Sequence, residues 1–171
     1  MKKVFAILIV FLFVLSVWWT FRFLSQEGEF TLGGYARADV ELFQDQTPIY
    51  LGYNFSWKGI GSPTLEKIEF IKRDGLILAK DDEEFRIDPF IAETEKIGGL
   101  KEETILAEGL DEELEPVNGY KVDDKFNLVL RIEFDGTDPE NDISTIRITY
   151  QKFGITQYQN FTLDESIFII E

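Results

Sequence analysis

An uninterrupted apolar run of eighteen residues, Val4 to Phe21, lies near the start of the chain and contains no charged side chain. Folded as a helix with a rise of ~1.5 Å per residue, this run is roughly 27 Å long, close to the hydrocarbon thickness of a bilayer. A cleavable signal sequence has a shorter apolar core followed by small residues, but no A-x-A-like triplet precedes Ala36. We therefore expect residues 1–24 to form an uncleaved signal anchor, with secretion after cleavage near Ser25 as the alternative.

The charges that flank the apolar run predict its orientation. Lys2 and Lys3 precede it, whereas Arg22 is the only nearby base that follows it. Because positive charge is retained on the cytoplasmic side, we expect the N-terminus in the cytoplasm and the C-terminal domain outside. Trp18 and Trp19 would then lie at the outer interface, where indole rings are favoured. The expected localisation is the cell membrane, which the chain crosses in a single pass.

Beyond the apolar run the chain is strongly acidic. Residues 25–171 contain 14 basic and 32 acidic side chains, and their net charge of −18 repels nucleic acid, so we expect no nucleic-acid partner. Within residues 81–124, 16 acidic and 4 basic side chains give a local charge of −12. Runs of acidic residues ordinarily form solvated loops or faces. The alternative is an acidic patch that binds cations or a basic partner.

The chain has neither cysteine nor histidine. This composition excludes Ser-His-Asp triads, Cys-His pairs, thiolate sites and histidine-containing zinc sites. Disulfides are excluded as well, which in an exported domain favours a bacterial source and the outer face of a Gram-positive cytoplasmic membrane. Paired carboxylates could still catalyse glycoside hydrolysis, but no catalytic role can be given to a named residue. We predict a protein that is not an enzyme, with no cofactor and no assigned catalytic or metal-binding residues.

Alternation of polar and apolar residues predicts half-buried strands along the rest of the chain. The clearest alternation covers residues 49–58 and 126–134. Two hairpins are predicted, one turning at Asp74-Gly75 and one around Gly154. Shorter strands are expected at Ala38–Phe43, Phe85–Ile91 and Ile167–Ile170. Short strands separated by turn signals are typical of an antiparallel β-sandwich.

Two segments depart from the strand pattern. Residues 93–115 fit neither the strand period nor the helix period, so we expect a loop with a short helix or strand there. The segment SQEGEFTLGG, residues 25–34, is expected to be a short linker that keeps the domain close to the membrane. The predicted organisation is therefore an anchor over residues 1–24, a linker over 25–34 and a β-sandwich domain over 35–171.

An N-terminal anchor followed by short strands that end in ITYQKFGITQYQNF resembles the small membrane-anchored Ig-like ectodomain proteins of Gram-positive bacteria. The resemblance is one of architecture and covers the whole chain. It implies an antiparallel Ig-like β-sandwich behind one transmembrane helix, and it implies no activity. The chain departs from antibody-type domains because it lacks both core cysteines, although Trp57 on an early strand fits the role of a core tryptophan.

The segment FDGTDPENDIS concentrates oxygen-bearing side chains between two predicted strands. These side chains are Asp135, Asp138, Glu140, Asn141 and Asp142. Calcium takes about 6–8 oxygen ligands, so such a loop is a candidate cation site. The spacing does not match the helix-flanked calcium loop, and Asp-Gly, Asp-Pro and Asn-Asp are also ordinary turn formers. A plain turn is therefore the alternative.

Aromatic side chains that fall opposite the predicted core positions are a further candidate feature. Tyr50, Tyr120, Phe153 and Tyr158 occupy such positions in the predicted strands. Aromatic rings exposed on a sheet suit sugar stacking or protein contact, whereas ordinary packing is the alternative. We expect a non-enzymatic interaction or accessory module of the cell envelope that meets another envelope protein. The alternatives are a carbohydrate or cell-wall polymer binder and a calcium-stabilised adhesion-type domain.

Overall fold

The computed structural model describes residues 2–45, 47–82, 84–93, 96–136 and 138–170. Glu83 and Glu95 of the acidic region, Thr137 of the candidate cation loop and Glu171 at the end of the predicted domain lie outside the described residues.

The N-terminal apolar run forms one continuous helix, α1 (Lys2–Gln26). Its segment Ile7–Gln26 is long and apolar enough to cross a membrane. Every side chain from residue 7 to residue 23 is exposed, so the rest of the described chain leaves this helix largely uncovered. A helix that is apolar on all sides calls for an apolar environment around it.

Antiparallel strands make up most of the remaining fold. The strands are β1 (Glu29–Tyr35), β2 (Ala38–Asp39), β3 (Ile49–Lys58), β4 (Thr64–Lys72), β5 (Phe85–Ala92), β6 (Leu100–Lys101), β7 (Glu115–Pro116), β8 (Lys125–Phe134), β9 (Ile143–Lys152), β10 (Ile155–Thr162) and β11 (Phe168–Ile169). One sheet has six strands in the order β1-β3-β8-β5-β7, with β6 beside β3, and a second has three strands in the order β10-β9-β4. A helix α2 (Glu102–Ala107) and two 3₁₀ helices, Val40–Phe43 and Leu110–Glu113, complete the fold of the described residues.

The two sheets share one hydrophobic cluster. The ring of Phe30 on β1 lies 5.1 Å from that of Tyr150 on β9, and the ring of Phe55 on β3 lies 4.9 Å from that of Phe161 on β10. Trp57 is 5% exposed and also packs on Tyr150, with 5.7 Å between the ring centroids. Alternate residues of the strands therefore turn their apolar side chains into this cluster, as a period of two requires.

The long strands confirm the sequence predictions. Residues 49–58 form β3, residues 126–134 lie within β8, and the predicted segment Phe85–Ile91 lies within β5. The hairpin around Gly154 is formed by β9 and β10, whose residues Lys152 and Ile155 pair directly across a two-residue turn.

Two shorter strand predictions are only partly right. After the turn at Asp74-Gly75, where Gly75 has φ +86°, the returning chain makes only an isolated bridge to Ile71 through Ile77. Residues 38–43 form a strand only as far as Asp39, after which the chain turns into the 3₁₀ helix Val40–Phe43. The physical reason is a helix cap, because the carboxylate of Asp39 accepts a hydrogen bond from the Glu41 backbone N–H at 3.0 Å.

Both ends of the predicted β domain differ from expectation. Residues 25–34 are not a linker, since α1 continues to Gln26 and β1 begins at Glu29 and pairs with β3 along its length. The predicted C-terminal strand is shortened to β11, and it pairs with β2 in parallel rather than antiparallel orientation. The domain therefore begins almost directly where the helix ends.

Candidate interaction surfaces

The end of α1 is fixed to the hairpin formed by β9 and β10. Ser25 is buried, and its carbonyl oxygen accepts a hydrogen bond from Gln157 Nε2 at 2.7 Å. Two residues further on, the carbonyl oxygen of Glu27 accepts a hydrogen bond from the ammonium group of Lys152. Both side chains reach from the hairpin to backbone that the helix can no longer satisfy beyond its last turn. The helix and the sheets are thus joined by specific bonds as well as by the chain.

The chain then enters β1 through a tight passage. Gly28 has φ +108°, and a Cβ atom at this position would lie 2.5 Å from the ring of Trp57, so no larger residue fits. Immediately afterwards, the side-chain amide of Gln159 accepts from the Phe30 N–H and donates to the Phe30 carbonyl, both at 2.8 Å. This amide joins β10 to β1 and satisfies backbone groups at the edge of the six-stranded sheet.

Lys152 is a buried cation at this junction. Its side chain is 2% exposed, and its Nζ atom lies 5.2 Å from the centroid of the Trp57 ring and 5.6 Å from that of the Phe153 ring. Burial lowers the pKa of Lys152, and the carboxylate of Glu27 opposes this effect only in part. The ammonium group is stabilised by the two rings and by the Glu27 carbonyl in place of water.

The turn of this hairpin has an unfavourable backbone conformation. Phe153 and Gly154 form the turn with φ +50° and +77°, so both residues are left-handed. Two-residue turns of this kind favour Asn-Gly, because asparagine and glycine tolerate positive φ. A bulky residue with a Cβ atom incurs a cost of about 1–2 kcal/mol in the left-handed region. The chain therefore has an aromatic residue where an ordinary hairpin has asparagine.

Three apolar side chains are exposed at this end of the sheets, and we refer to them as the apolar tips. They are Ile60, Phe153 and Ile155, which are 50%, 46% and 39% exposed. Phe153 lies over Gly61, where an added Cβ atom would approach its ring to 2.9 Å. The same ring lies 6.4 Å from that of Phe21 on α1. The apolar tips are thus grouped beside the end of the apolar run of α1.

The acidic segment is docked on the outer face of the six-stranded sheet, and we refer to residues 96–114 as the acidic cap. Ile97, Ile105 and Leu110 are buried in a second hydrophobic cluster with Tyr50 of β3 and Val129 of β8. This packing explains why the segment matched no single period, since it combines a two-residue strand, one helix and a 3₁₀ turn. The expected loop with a short helix or strand is therefore present, as β6 and α2, and it is docked on the sheet.

Arg131 ties the acidic cap to the sheet by charge. Its Nε atom donates to the Glu102 carboxylate of α2 at 2.9 Å, and its Nη1 atom lies 3.6 Å from Asp88 and also contacts Glu133. Burial alone would raise the pKa of Glu133, but hydrogen bonds from the two guanidinium groups of Arg131 and Arg86 lower it. Arg131 on β8 therefore neutralises part of the negative charge of Glu102 and of the neighbouring carboxylates on the sheet.

The remaining carboxylates of the cap point into solvent. The exposed residues are Glu103, Glu108, Asp111, Glu112 and Glu113. They carry like charge within a segment that is held in place by its own core, so they form a fixed acidic surface.

A polar hollow lies on the same face of the six-stranded sheet, beside β1. It has a volume of about 420 Å³, and Gly33, Asn54, Ser56, Glu93 and Lys125 are among the residues that line it. The hydroxyl groups of Ser56 and Thr31 are 2.7 Å apart at its edge. The phenyl rings next to it belong to buried residues of the opposite face, so the described lining has polar groups but no exposed aromatic platform.

The structure gives Asp142, the last acid of the candidate cation loop, a structural role. Asp142 is fully buried, and one of its carboxylate oxygens lies 2.5 Å from Arg73 Nε. The other oxygen accepts hydrogen bonds from Ser166 Oγ at 2.7 Å and from the Ile167 N–H at 2.6 Å. Its carboxylate thus binds the C-terminal segment to the start of β9.

The other oxygen-bearing side chains of the loop do not converge. Asn141 donates to the carboxylate of Asp74 at 2.8 Å, across the neighbouring turn. Asp135, Asp138 and Glu140 share no site with Asp142, and among the described residues no three acidic side chains are placed to hold a metal ion. The described part of the loop therefore has the geometry of a turn.

The four aromatic residues expected opposite the core have different environments. Tyr50 is 5% exposed because the acidic cap covers it, so the alternative of ordinary packing applies to this residue. Tyr120 is half-buried against the main core. Tyr158 is 66% exposed, 5.3 Å below the guanidinium group of Arg147, and Phe153 is one of the apolar tips. Lys152 was not among the expected site residues, and its signal in the sequence is a charged residue at a core position of β9.

No protein-family model, curated protein or solved structure matches this chain. Any function must therefore be argued from the surfaces described above.

Proposed function

We propose that the chain is a single-pass membrane protein whose Ig-like β-sandwich domain acts outside the cytoplasm as a non-enzymatic interaction module of the cell envelope. The observation that carries this proposal is the exposed apolar helix α1, which runs directly into the sheets. A soluble chain would have to leave this helix in water, at a cost that grows with every exposed apolar side chain.

Charge and aromatic residues support an orientation with the N-terminus in the cytoplasm. Lys2 and Lys3 precede the helix, and Arg22 lies near its other end with its guanidinium group 5.8 Å from the Trp18 ring. Tryptophan and arginine side by side suit the headgroup region, because the indole ring has both apolar and polar parts and the arginine charge stays solvated there. The sheets then stand on the outer side.

Fractionation of the full-length protein in a Gram-positive host tests this proposal. We expect membrane association, an intact mass that includes Met1, and loss of the C-terminal domain to protease added to whole cells. Recovery of the domain from the medium with a new N-terminus near Ser25 would show a secreted protein instead. Protection of the domain from external protease would show the opposite orientation.

The acidic cap is the surface that we propose for a partner protein with a basic face. Its exposed carboxylates are held by the Arg131 contacts and the second hydrophobic cluster, so little ordering is needed on binding. A pull-down with the full-length protein as bait should recover a basic envelope protein, and added salt should release that protein from the bait. Reversal of charge in Glu112→Lys/Glu113→Lys should abolish the recovery, whereas Asp164→Lys, on a loop after β10, should leave it intact.

The polar hollow favours one alternative, a carbohydrate or cell-wall polymer binder. Its amide, hydroxyl and charged groups suit sugar hydroxyls, although a stacking platform is lacking among the described lining residues. Sedimentation with purified wall polymer tests this function, and Asn54→Ala should reduce the amount of protein that sediments with the polymer. The calcium-stabilised alternative draws no support from the described part of the loop.

A further inference from the structure

We propose that the apolar tips, Ile60, Phe153 and Ile155, insert into the outer interface of the bilayer that α1 crosses, so that the domain rests on the membrane. This inference depends on the proposed membrane anchor and adds a second lipid contact to it. The occupant of the surface is the lipid interface itself, because the tips continue the apolar surface of the helix.

The depth of the apolar tips follows from the ring of Phe153, which packs on the helix. Phe21 is the last residue of the uncharged run, and Arg22 follows it directly. The Phe153 ring lies 6.4 Å from the Phe21 ring, so it reaches the level at which the apolar run ends. Trp18 precedes Phe21 by about one helical turn, or roughly 5 Å. Phe153 therefore lies at the depth where aromatic side chains are favoured in membrane proteins.

The turn chemistry supports the same conclusion independently. The left-handed backbone of Phe153 disfavours a bulky side chain, and strained positions of this kind are concentrated at functional sites. The ring packs over Gly61 and beside the Lys152 ammonium group, but the residue remains 46% exposed, so contacts within the domain account for only part of its surface. Burial in lipid accounts for the part that is left exposed.

The hydrogen bonds between the end of α1 and the β9–β10 hairpin hold the whole domain at this position relative to the helix. Gln157 and Lys152 bind the backbone at the end of α1, and both belong to the hairpin that carries Phe153 and Ile155. The tips therefore cannot leave the interface without breaking these bonds or tilting the helix. Exposed apolar residues alone do not define the surface, because Leu76 is 64% exposed at the far end of β4, roughly 30 Å away.

Single cysteines provide the test, because the chain has no cysteine of its own. Ile60→Cys and Ile155→Cys report on the tips, Leu76→Cys is the exposed control at the far end, and Ser16→Cys reports on the helix. Each full-length variant is labelled with an environment-sensitive fluorophore and reconstituted into phosphatidylcholine vesicles. Quenching is then measured with a nitroxide attached to the lipid and with aqueous iodide.

We expect the labels at residues 60 and 155 to be quenched by the lipid nitroxide and shielded from iodide, and the label at residue 76 to show the reverse. If the label at residue 16 is quenched by lipid while those at 60 and 155 behave like the one at 76, the anchor stands and the inserted tips are wrong. If the label at residue 16 is also open to iodide, the membrane anchor itself fails.

A second variant separates lipid contact from folding. Phe153→Asn removes the ring and its contact with Lys152 but relieves the left-handed turn, so these effects oppose each other and the sheets should remain folded with little change in melting temperature. In the chain labelled at residue 155, this substitution should increase quenching by iodide and decrease quenching by lipid. Unchanged quenching with Phe153→Asn would overturn the role of Phe153.

Discussion

Lys152 shows how one residue can couple the stability of the junction to pH. Burial lowers its pKa, so at alkaline pH the native state releases its proton before the unfolded state does. Between the native pKa and the ordinary value of 10.5, the unfolded state binds more protons, and this lysine's contribution to the free energy of unfolding rises with pH. Below the native pKa, Lys152 is charged in both states, so the full cost of burying its charge lowers the free energy of unfolding.

The pH dependence can be isolated by comparison with Lys152→Met. We expect urea unfolding of the full chain in detergent to show a gain in stability between neutral and alkaline pH that is smaller in Lys152→Met than in the unsubstituted protein. Lys58→Met, at an exposed position, is the matched control and should retain the full gain. Equal pH profiles for Lys152→Met and the unsubstituted protein would show that Lys152 keeps an ordinary pKa.

Asp142 is the buried acid on which the C-terminal segment depends. Asp142→Asn removes the charge that pairs with the partly exposed Arg73 and weakens the hydrogen bonds from Ser166 and Ile167, and the loss of charged hydrogen bonds typically costs about 1.5–3 kcal/mol. We expect a decrease in the free energy of unfolding of that order, measured by urea denaturation. Asp135→Asn, on the exposed part of the same loop, should change it by less than about 0.5 kcal/mol. Similar losses in both variants would contradict the assigned role.

Calcium provides a separate test of the same loop. Both carboxylate oxygens of Asp142 are already bonded within the protein, so the loop cannot offer this carboxylate to a cation without losing those bonds. We expect millimolar calcium to leave the melting temperature unchanged, as measured by calorimetry with magnesium as the control. A calcium-specific rise would restore the cation site and require a rearranged loop.

At the scale of the elements, the acidic cap depends on one base from the sheet. Arg131→Gln removes the ion pair to Glu102 of α2 while the second hydrophobic cluster remains. We expect faster amide hydrogen exchange in α2 and in the 3₁₀ helix Leu110–Glu113, without faster exchange in β3 or β9. Arg147→Gln, on the outer face of the three-stranded sheet, is the matched control. Uniformly faster exchange would indicate global destabilisation instead of release of the cap.

Acid should weaken the charged network that Arg131 forms on the sheet beneath the cap. The pKa of Glu133 is lowered in the native state, so between this value and 4.5 the unfolded state binds more protons and stability falls as the pH falls. We expect the free energy of unfolding of the unsubstituted protein, measured by urea denaturation, to fall in this range. In Arg131→Gln the fall should be smaller, because one of the two guanidinium partners of Glu133 is already absent.

At the scale of the whole molecule, the acidic cap and the apolar tips, for which we propose a partner protein and the membrane, lie at opposite ends. β6 of the acidic cap pairs with the first residues of β3, whereas the apolar tips lie beyond its last residues, roughly 30 Å away along the strand. The acidic surface thus faces away from the proposed membrane, where repulsion from anionic lipid is weak and screened by salt. This separation fits a module that rests on the bilayer at one end and meets a partner at the other.

The sequence by itself determined the apolar helix, the long strands and the hairpin around Gly154, because these features depend on local period and turn chemistry. Only the tertiary structure decided what covers the second face of a strand, and for this reason the burial of Tyr50 under the acidic cap could not be predicted. The same limit applies to Asp142 and Lys152, whose partners are distant in sequence. Sequence identifies a charged side chain, but its role depends on which backbone and counter-charge the folded chain brings to it.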